Sequence, residues 1–209
     1  MDEINGAARP PRGAPPPAGA VHRVAAEDAV RALVEALGLR LSPEARANTP
    51  RRVVDALREM TAPAPFRPTT FAHAPDDEMP VVVRDIAFRA LCEHHLLPFA
   101  GVAHVGYVPD GRVLGLSKLP RLVEACAAGP QLQERLTRAI ADGLERAVRP
   151  RGVGVVVEAV HMCMAVRGVR QAGSATVTRV MRGAMRDPAM AADLQPGAGR
   201  PRDPWRSAP

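Results

Sequence analysis

The sequence predicts an α+β domain in which helices pack on one face of an antiparallel sheet. Three observations lead to this prediction: amphipathic helical patterns come first, two pairs of β-branched segments follow, and two helical segments separate those pairs. The order after the first helices is therefore ββααββ. A chain of 209 residues with 46% hydrophobic residues can form such a core.

The domain is expected at residues 25–182, with a helical extension at 25–60 and the sheet-containing core at 80–182. Residues 1–24 combine Pro, Gly, Ala and Arg with few large apolar groups, which predicts a disordered arm. Residues 183–209 are expected to form a short helical turn and then a disordered tail, because Pro, Gly and Arg return toward the end.

The extension begins with a helix predicted at 25–37, where apolar residues recur at helical spacing and Gly38 provides a cap. Ser42 predicts the start of a second helical segment. Pro50 predicts that this segment restarts, because proline suits the first position of a helix.

The core begins with β-branched and aromatic segments at 81–88 and 102–108. Turn residues after the second segment predict a hairpin whose short partner strand is 112–116. Two further strands are predicted at 152–164 and 175–182.

Two helices lie between the strand pairs. Ser117 is expected to cap a helix that runs through Cys126. Pro130 is expected to open the longest helix of the chain. Its apolar stripe, which should pack on the sheet, consists of Leu132, Leu136, Ile140, Leu144 and Val148.

Composition limits the class of function. A net charge of +6 suits an anionic partner, but only 3% of the residues are aromatic, which argues against nucleic acid. No apolar run reaches the roughly 18 residues of a membrane span, and no signal peptide is evident, so a cytoplasmic protein without a membrane partner is expected. Three cysteines favour reduced thiols or metal ligands over a disulfide framework.

A metal site is predicted from Cys92, His95 and Cys163. The first two have C-x-x-H spacing, and the period of a strand would project His161 and Cys163 from one face. Thiolate and imidazole ligands favour Zn²⁺, and three protein ligands leave one position open for water, as in catalytic sites. His94 and His161 are then candidates for acid and base. Cys126, on an apolar helix face, is interpreted as a packing residue.

An anion site is predicted where Lys118 and Arg121 share the first turn of a helix with free backbone amides. Lys118 is the only lysine in the chain. The same argument applies to Arg51 and Arg52, for which two solvated arginines are an equally good interpretation.

Five motifs follow one another along the chain. They are Thr49-Pro50-Arg51-Arg52-Val53, Cys92-Glu93-His94-His95-Leu96, Gly115-Leu116-Ser117-Lys118-Leu119, Gln131-Leu132-Gln133-Glu134-Arg135-Leu136 and His161-Met162-Cys163-Met164-Ala165-Val166-Arg167-Gly168-Val169. Together these motifs resemble the GTP cyclohydrolase I family. The resemblance covers about 130 residues and predicts a zinc enzyme that converts GTP to formate and dihydroneopterin triphosphate.

The resemblance also implies roles for individual residues. It implies that Cys92, His95 and Cys163 bind the zinc ion. It also implies that His94 and His161 transfer protons, and that Ser117 and His94 assist the later rearrangement. Gln133 and Glu134 would recognise the guanine edge. The triphosphate would be held by Ser117, Lys118, Arg121 and Arg167, with Arg52 reaching in from a neighbouring subunit.

The fold implied is the tunnelling fold, in which sheets join into a closed barrel, and the assembly implied is a decamer with sites between subunits. Closure of the barrel would also cover strand edges. Two other functions are considered: a tunnelling-fold relative, such as a nitrile reductase with a nucleophilic cysteine, and a non-catalytic zinc protein. A nitrile reductase needs no zinc, so the presence of His95 and Cys163 argues against it. A structural zinc site would need a fourth protein ligand, and none is evident in the sequence.

Overall fold

The computed structural model describes residues 22–62, 64–73 and 79–194. Residues 1–21 of the predicted arm therefore lie outside the described residues. The described residues form two compact units, which divide between Arg58 and Glu59. The helices are α1 (Arg23–Ala36), α2 (Pro43–Thr61), α3 (Lys118–Ala127), α4 (Gln133–Val148) and α5 (Met162–Ala165). The strands are β1 (Thr70–Ala72), β2 (Val81–Cys92), β3 (Pro98–Val108), β4 (Arg112–Leu114), β5 (Pro130–Gln131), β6 (Gly152–His161) and β7 (Thr176–Gly183).

The first unit is a helical pair. Ser42 caps α2, since its Oγ accepts a hydrogen bond of 3.2 Å from the Ala45 N–H. The predicted restart at Pro50 is wrong, because α2 continues through this proline as one helix of 19 residues. Pro50 has no N–H to donate, yet its ring and Val54 are buried, which keeps the helix continuous.

The second unit contains a five-stranded sheet in the order β5-β2-β3-β6-β7, antiparallel apart from the two-residue β5. Helices α3 and α4 pack against this sheet, so the α+β class is confirmed. In α4 the predicted apolar stripe is buried at Leu136, Ile140, Leu144 and Val148.

The start of α4 differs from the prediction. Pro130 does not open the helix, because Pro130 and Gln131 pair with Leu91 and Cys92 as β5. The helix begins at Gln133, and its 16 residues make it shorter than α2.

The predicted hairpin partner of β3 is also wrong. Strand β4 pairs with β1 in a separate two-stranded sheet, although the chain does turn after Val108. The link to β3 is made by a side chain: the buried Tyr107 hydroxyl accepts a hydrogen bond of 2.8 Å from the Leu114 N–H.

After residue 182, where a short helical turn was predicted, the chain forms two short 3₁₀ turns. Met185 and Leu194 lie in short 3₁₀ turns and are fully buried against the opposite face of the sheet. Gly154 makes this contact possible, since a Cβ there would lie 2.3 Å from a Leu194 methyl carbon. The remainder of the predicted tail, from 195 onward, lies outside the described residues.

Within the described ranges, no helix combines the length and apolar character that crossing a membrane demands.

Candidate metal centre and its surroundings

The turn between β2 and β3 presents two of the predicted ligands. Strand β2 runs on to Cys92, past its predicted end at 88, so this thiol occupies a buried strand position rather than a loop. The Leu96 N–H closes the turn with a hydrogen bond of 2.8 Å to the Cys92 carbonyl. Leu96 adopts a φ of 52°, a left-handed conformation that is strained for a bulky residue. The turn leaves His94 and His95 exposed.

The third ligand comes from the end of β6. The predicted strand to 164 is wrong, because β6 ends at His161 and the chain enters the helical turn α5. The argument that placed His161 and Cys163 on one strand face therefore fails. The Val166 N–H, which donates to the Met162 carbonyl over 3.1 Å, closes this turn.

The three predicted ligands nevertheless converge. One ligand atom from each of Cys92, His95 and Cys163 lies within 4.8 Å of the others. The Cys92 Sγ to His95 Nδ1 distance is 3.9 Å. Zinc bonds of about 2.3 Å to sulfur and 2.1 Å to nitrogen, at a tetrahedral angle, put such atoms roughly 3.6 Å apart. The donor set therefore fits a zinc ion with little movement.

The electrostatics of the pair of thiols favour a cation. Burial raises the pKa of the Cys163 thiol, and the neighbouring Cys92 raises it further. Two thiolates close together repel each other, and a divalent ion removes that cost. Cys126 takes no part in this cluster; it packs against the apolar core, and burial raises the pKa of its thiol to about 11.

His161 is held on two sides. Its ring stacks on Phe99 with 4.5 Å between centroids and 4° between planes, and its Nε2 lies 2.7 Å from the Gln133 Oε1. Burial lowers the pKa of His161, an effect that the Glu134 carboxylate partly offsets. Sequence reasoning missed Phe99, because only the register of β3 on β6, in which Phe99 faces His161, brings them together.

Gln133 and Glu134 occupy different environments. Gln133 is 2% exposed, and its amide N–H groups are directed to the backbone carbonyls of Val157 and Thr176. The role predicted for Gln133 at the guanine edge stays a prediction. Glu134 is exposed, and its carboxylate has no hydrogen-bond partner among the residues described.

The predicted anion site at α3 stays a prediction, and the structure corrects one part of its geometry. Ser117 has helical backbone angles and makes no capping hydrogen bond, so it is not the predicted cap. Lys118 is partly buried and Arg121 is exposed, and neither has an ion-pair partner in the part of the chain that the structure describes. Both cations therefore remain available to an anion.

The other predicted phosphate ligands have partners. The Arg167 guanidinium lies 3.4 Å from the His95 Nε2, next to the ligand cluster. Arg52 forms an ion pair of 3.0 Å with Glu44. Because α2 continues through Pro50, Arg51 and Arg52 are not at a helix start, and the predicted free amides there are absent.

A further contact supports the ligand turn. Glu93, between the two ligands of the turn, forms an ion pair with Arg135 on α4. Arg135 also donates to the Pro130 carbonyl over 2.8 Å. Sequence reasoning missed this pair, since the residues are separated by 42 positions.

Comparisons with known proteins show the family of this chain. The family model described as GTP cyclohydrolase I matches residues 26–195. GTP cyclohydrolase 1 of Streptomyces avermitilis is 52% identical over 170 residues, which cover 78% of this chain and 84% of that protein. The Streptococcus mutans protein of the same name is 51% identical over 161 residues, or 75% and 84% of the two chains. GTP cyclohydrolase 1 of Bacillus subtilis is 47% identical over 177 residues, which cover 82% of this chain and 92% of that protein. The chain belongs to the GTP cyclohydrolase I family.

Proposed function

We propose that this protein converts GTP and water to formate and 7,8-dihydroneopterin triphosphate, with Zn²⁺ as its metal. The observation that carries the proposal is the convergence of Cys92, His95 and Cys163 within 4.8 Å, in a chain of this family. A zinc ion held by these three residues would supply Lewis acidity for hydrolysis.

The protein's own residues divide the remaining work. His161, stacked beside the cluster, transfers a proton to the guanine during ring opening. His94, on the exposed turn, and Ser117, at the start of α3, assist the later ribose opening and rearrangement. Separate stages for the two histidines follow from their different environments, one half-buried and one exposed.

Substrate binding uses charge. The Glu134 carboxylate accepts from paired N–H groups at the guanine edge, which suits an acceptor-only side chain. Lys118, Arg121 and Arg167 bind the triphosphate, and the overall charge of +6 favours the approach of an anion. Arg52 remains a candidate contributed by a neighbouring subunit, where phosphate would compete with Glu44 for its guanidinium.

We further propose the tunnelling fold and a decamer. In the described part of the chain β7 has no partner on its outer side, and β5 covers β2 only at Leu91 and Cys92. Exposed strand edges of this kind favour pairing between subunits. A decamer of 22.2 kDa chains has a mass of about 220 kDa, which light scattering measures. The cytoplasmic location stays a prediction.

One assay tests the activity. Purified protein, loaded with zinc or stripped by a chelator, is incubated with GTP, and released formate and the fluorescence of the oxidised pterin are followed. We expect both products in equal amounts from the loaded protein only. Absence of formate from zinc-loaded protein would refute the proposed reaction.

The two histidines separate the stages. His161→Ala and His94→Ala should each retain zinc and lose about a hundredfold or more in turnover, the usual scale for a general acid or base. His161→Ala should release no formate, whereas His94→Ala should release formate without pterin. Loss of zinc from either variant would make that histidine a ligand and contradict the assigned set.

A further inference from the structure

The Gln133 side chain connects the start of α4 to the end of β6. It is 2% exposed, and its Oε1 lies 2.7 Å from the His161 Nε2. A hydrogen bond in this position has one donor and one acceptor, and the donor depends on the orientation of the amide. The surroundings of the amide determine that orientation.

Two backbone carbonyls orient the Gln133 amide. Its Nε2 lies 3.1 Å from the Val157 oxygen and 2.9 Å from the Thr176 oxygen. Carbonyl oxygens only accept, so the NH₂ group must face them. The opposite orientation would place the Gln133 Oε1 against two acceptors and leave a buried repulsion.

A chain of hydroxyl groups imposes the same orientation. The Thr137 hydroxyl donates to the Gln133 backbone carbonyl over 2.8 Å. Its single proton is then used, so across the 2.6 Å contact the Thr178 hydroxyl must be the donor to the Thr137 Oγ1. The Thr178 Oγ1 is then a third acceptor, 3.2 Å from the Gln133 Nε2, and it shares one of the two amide protons with a backbone carbonyl.

We propose that Gln133 is a positioning residue that holds His161 as the tautomer protonated at Nε2 and presents its unprotonated Nδ1, which takes up a proton from the attacking water before passing it to the guanine. The Gln133 Oε1 accepts only, so the proton between the two side chains belongs to the imidazole. The parallel Phe99 ring fixes the plane of His161, and Nδ1 has no hydrogen-bond partner among the described residues. The catalytic use of Nδ1 rests on the proposed function, whereas the tautomer does not.

The tautomer can be observed directly. The zinc-loaded protein, labelled with ¹⁵N in its six histidines, is examined by magic-angle-spinning NMR, for which particle size is no limit. A pH of about 8 keeps histidines with pKa near 6.5 neutral. The difference from His161→Asn assigns the His161 signals. We expect a protonated Nε2 and a bare Nδ1; a protonated Nδ1 with a bare Nε2 would overturn the proposal.

Three variants separate positioning from packing. Gln133→Met removes the acceptor at similar size, and should mix the tautomers and lower kcat by about 10- to 100-fold, with KM for GTP and zinc content near wild type. Gln133→Glu keeps an acceptor for Nε2 and should retain the tautomer, but its second oxygen would face the Val157 and Thr176 carbonyls, so its free energy of unfolding should fall below that of wild type. Thr137→Val, at a position 1% exposed, is the matched control: the Val157 and Thr176 carbonyls still orient the Gln133 amide, so this variant should keep both the tautomer and the kcat.

The outcomes distinguish the two proposals. Wild-type kcat in Gln133→Met, or the Nε2-protonated form surviving in that variant, would show that Gln133 does not position His161. Equal losses in Gln133→Met and Thr137→Val would assign the effect to packing and overturn the proposal as well. A wild-type protein with the expected tautomer but without GTP turnover would refute the proposed function and leave the positioning intact.

Discussion

Phe99 and His161 are register partners on β3 and β6, and their rings lie parallel with 4.5 Å between centroids. Phe99 is fully buried, so the face of His161 that it covers is closed to solvent and substrate. The stacking fixes the plane of the imidazole and leaves its edge, with Nδ1, for proton transfer. This arrangement places the proposed proton-transfer residue at the end of β6, whereas His94 and His95 belong to the turn.

The metal centre predicts different outcomes for two cysteines. Cys163→Ser should lose zinc and activity, because two remaining ligands cannot hold the ion. Cys126→Ser should keep both, since that thiol packs against the core outside the cluster. Metal analysis by mass spectrometry measures zinc per chain. Full zinc in Cys163→Ser would contradict the ligand assignment.

Cys126 should also be unreactive. Burial raises the pKa of its thiol from 9.0 to about 11, so less thiolate is present at a given pH below that value. At pH 8 a shift of this size lowers the thiolate fraction by roughly a hundredfold. Alkylation of Cys126 in the zinc-loaded protein should be slower than in denatured protein by that factor or more, and should accelerate about tenfold per pH unit. Mass spectrometry of the labelled peptide measures both; equal rates in folded and denatured protein would contradict the burial argument.

The ion pair of Glu93 with Arg135 should support zinc binding. Both side chains are nearly half exposed, and such pairs contribute about 0.2–1 kcal/mol. Glu93→Gln should therefore weaken zinc affinity by up to about fivefold, measured by competition with a chromogenic chelator. The matched control is Asp28→Asn, which removes an exposed ion pair with Arg31 in the helical unit and should leave zinc affinity unchanged. Equal affinities for the two variants would show that the Glu93 pair does not stabilise the ligand turn.

The buried segment 184–194 should stabilise the fold. Leu194 is fully buried on the second face of the sheet, and replacing such a leucine with alanine costs about 2–5 kcal/mol. Leu194→Ala should lower the free energy of unfolding in urea by this amount. Leu39→Ala, at a position 51% exposed, should change it by less than about 0.5 kcal/mol. Similar effects from both would show that 184–194 adds little to the core.

Patterns that depend on neighbouring residues were read correctly from the sequence. The stripe of α4 is an example, because the helical period requires only a local match between Leu136 and Val148. The cap of α2 at Ser42 is another. The restart predicted at Pro50 is wrong, because this proline is buried inside α2 and does not follow its local preference for a helix start.

Contacts between distant residues were not predictable in the same way. The pairing of β4 with β1, the stacking of Phe99 on His161 and the burial of Leu194 each depend on register or packing that no local pattern encodes. The cluster of Cys92, His95 and Cys163 was identified by residue chemistry, although the strand geometry assumed for Cys163 was wrong. Ligand type was more informative than assumed geometry.

The single lysine of the chain leads to the last prediction. Arginine fills every other Lys or Arg position among the 28. If arginine has replaced lysine wherever it can perform the same function, then Lys118 occupies a position where a guanidinium cannot replace the ammonium group. Lys118 is in the first turn of α3, partly buried, with its Cγ 3.8 Å from the position a Cβ would take on Gly115. A compact ammonium fits such a site against phosphate oxygens, whereas the planar guanidinium needs more space and bidentate geometry.

Lys118→Arg conserves the charge and should still lower kcat/KM for GTP by roughly tenfold, which corresponds to about 1.4 kcal/mol of transition-state stabilisation. Lys118→Ala should be worse, because the charge is lost as well. Zinc content and particle mass should stay unchanged in both, since the side chain lies outside the ligand cluster. Arg121→Lys is the matched control: this exposed residue on the same helix carries no such steric constraint, so its kcat/KM should stay within about twofold of wild type. Wild-type kinetics from Lys118→Arg would show that position 118 requires only a positive charge, and composition alone would then explain the lone lysine.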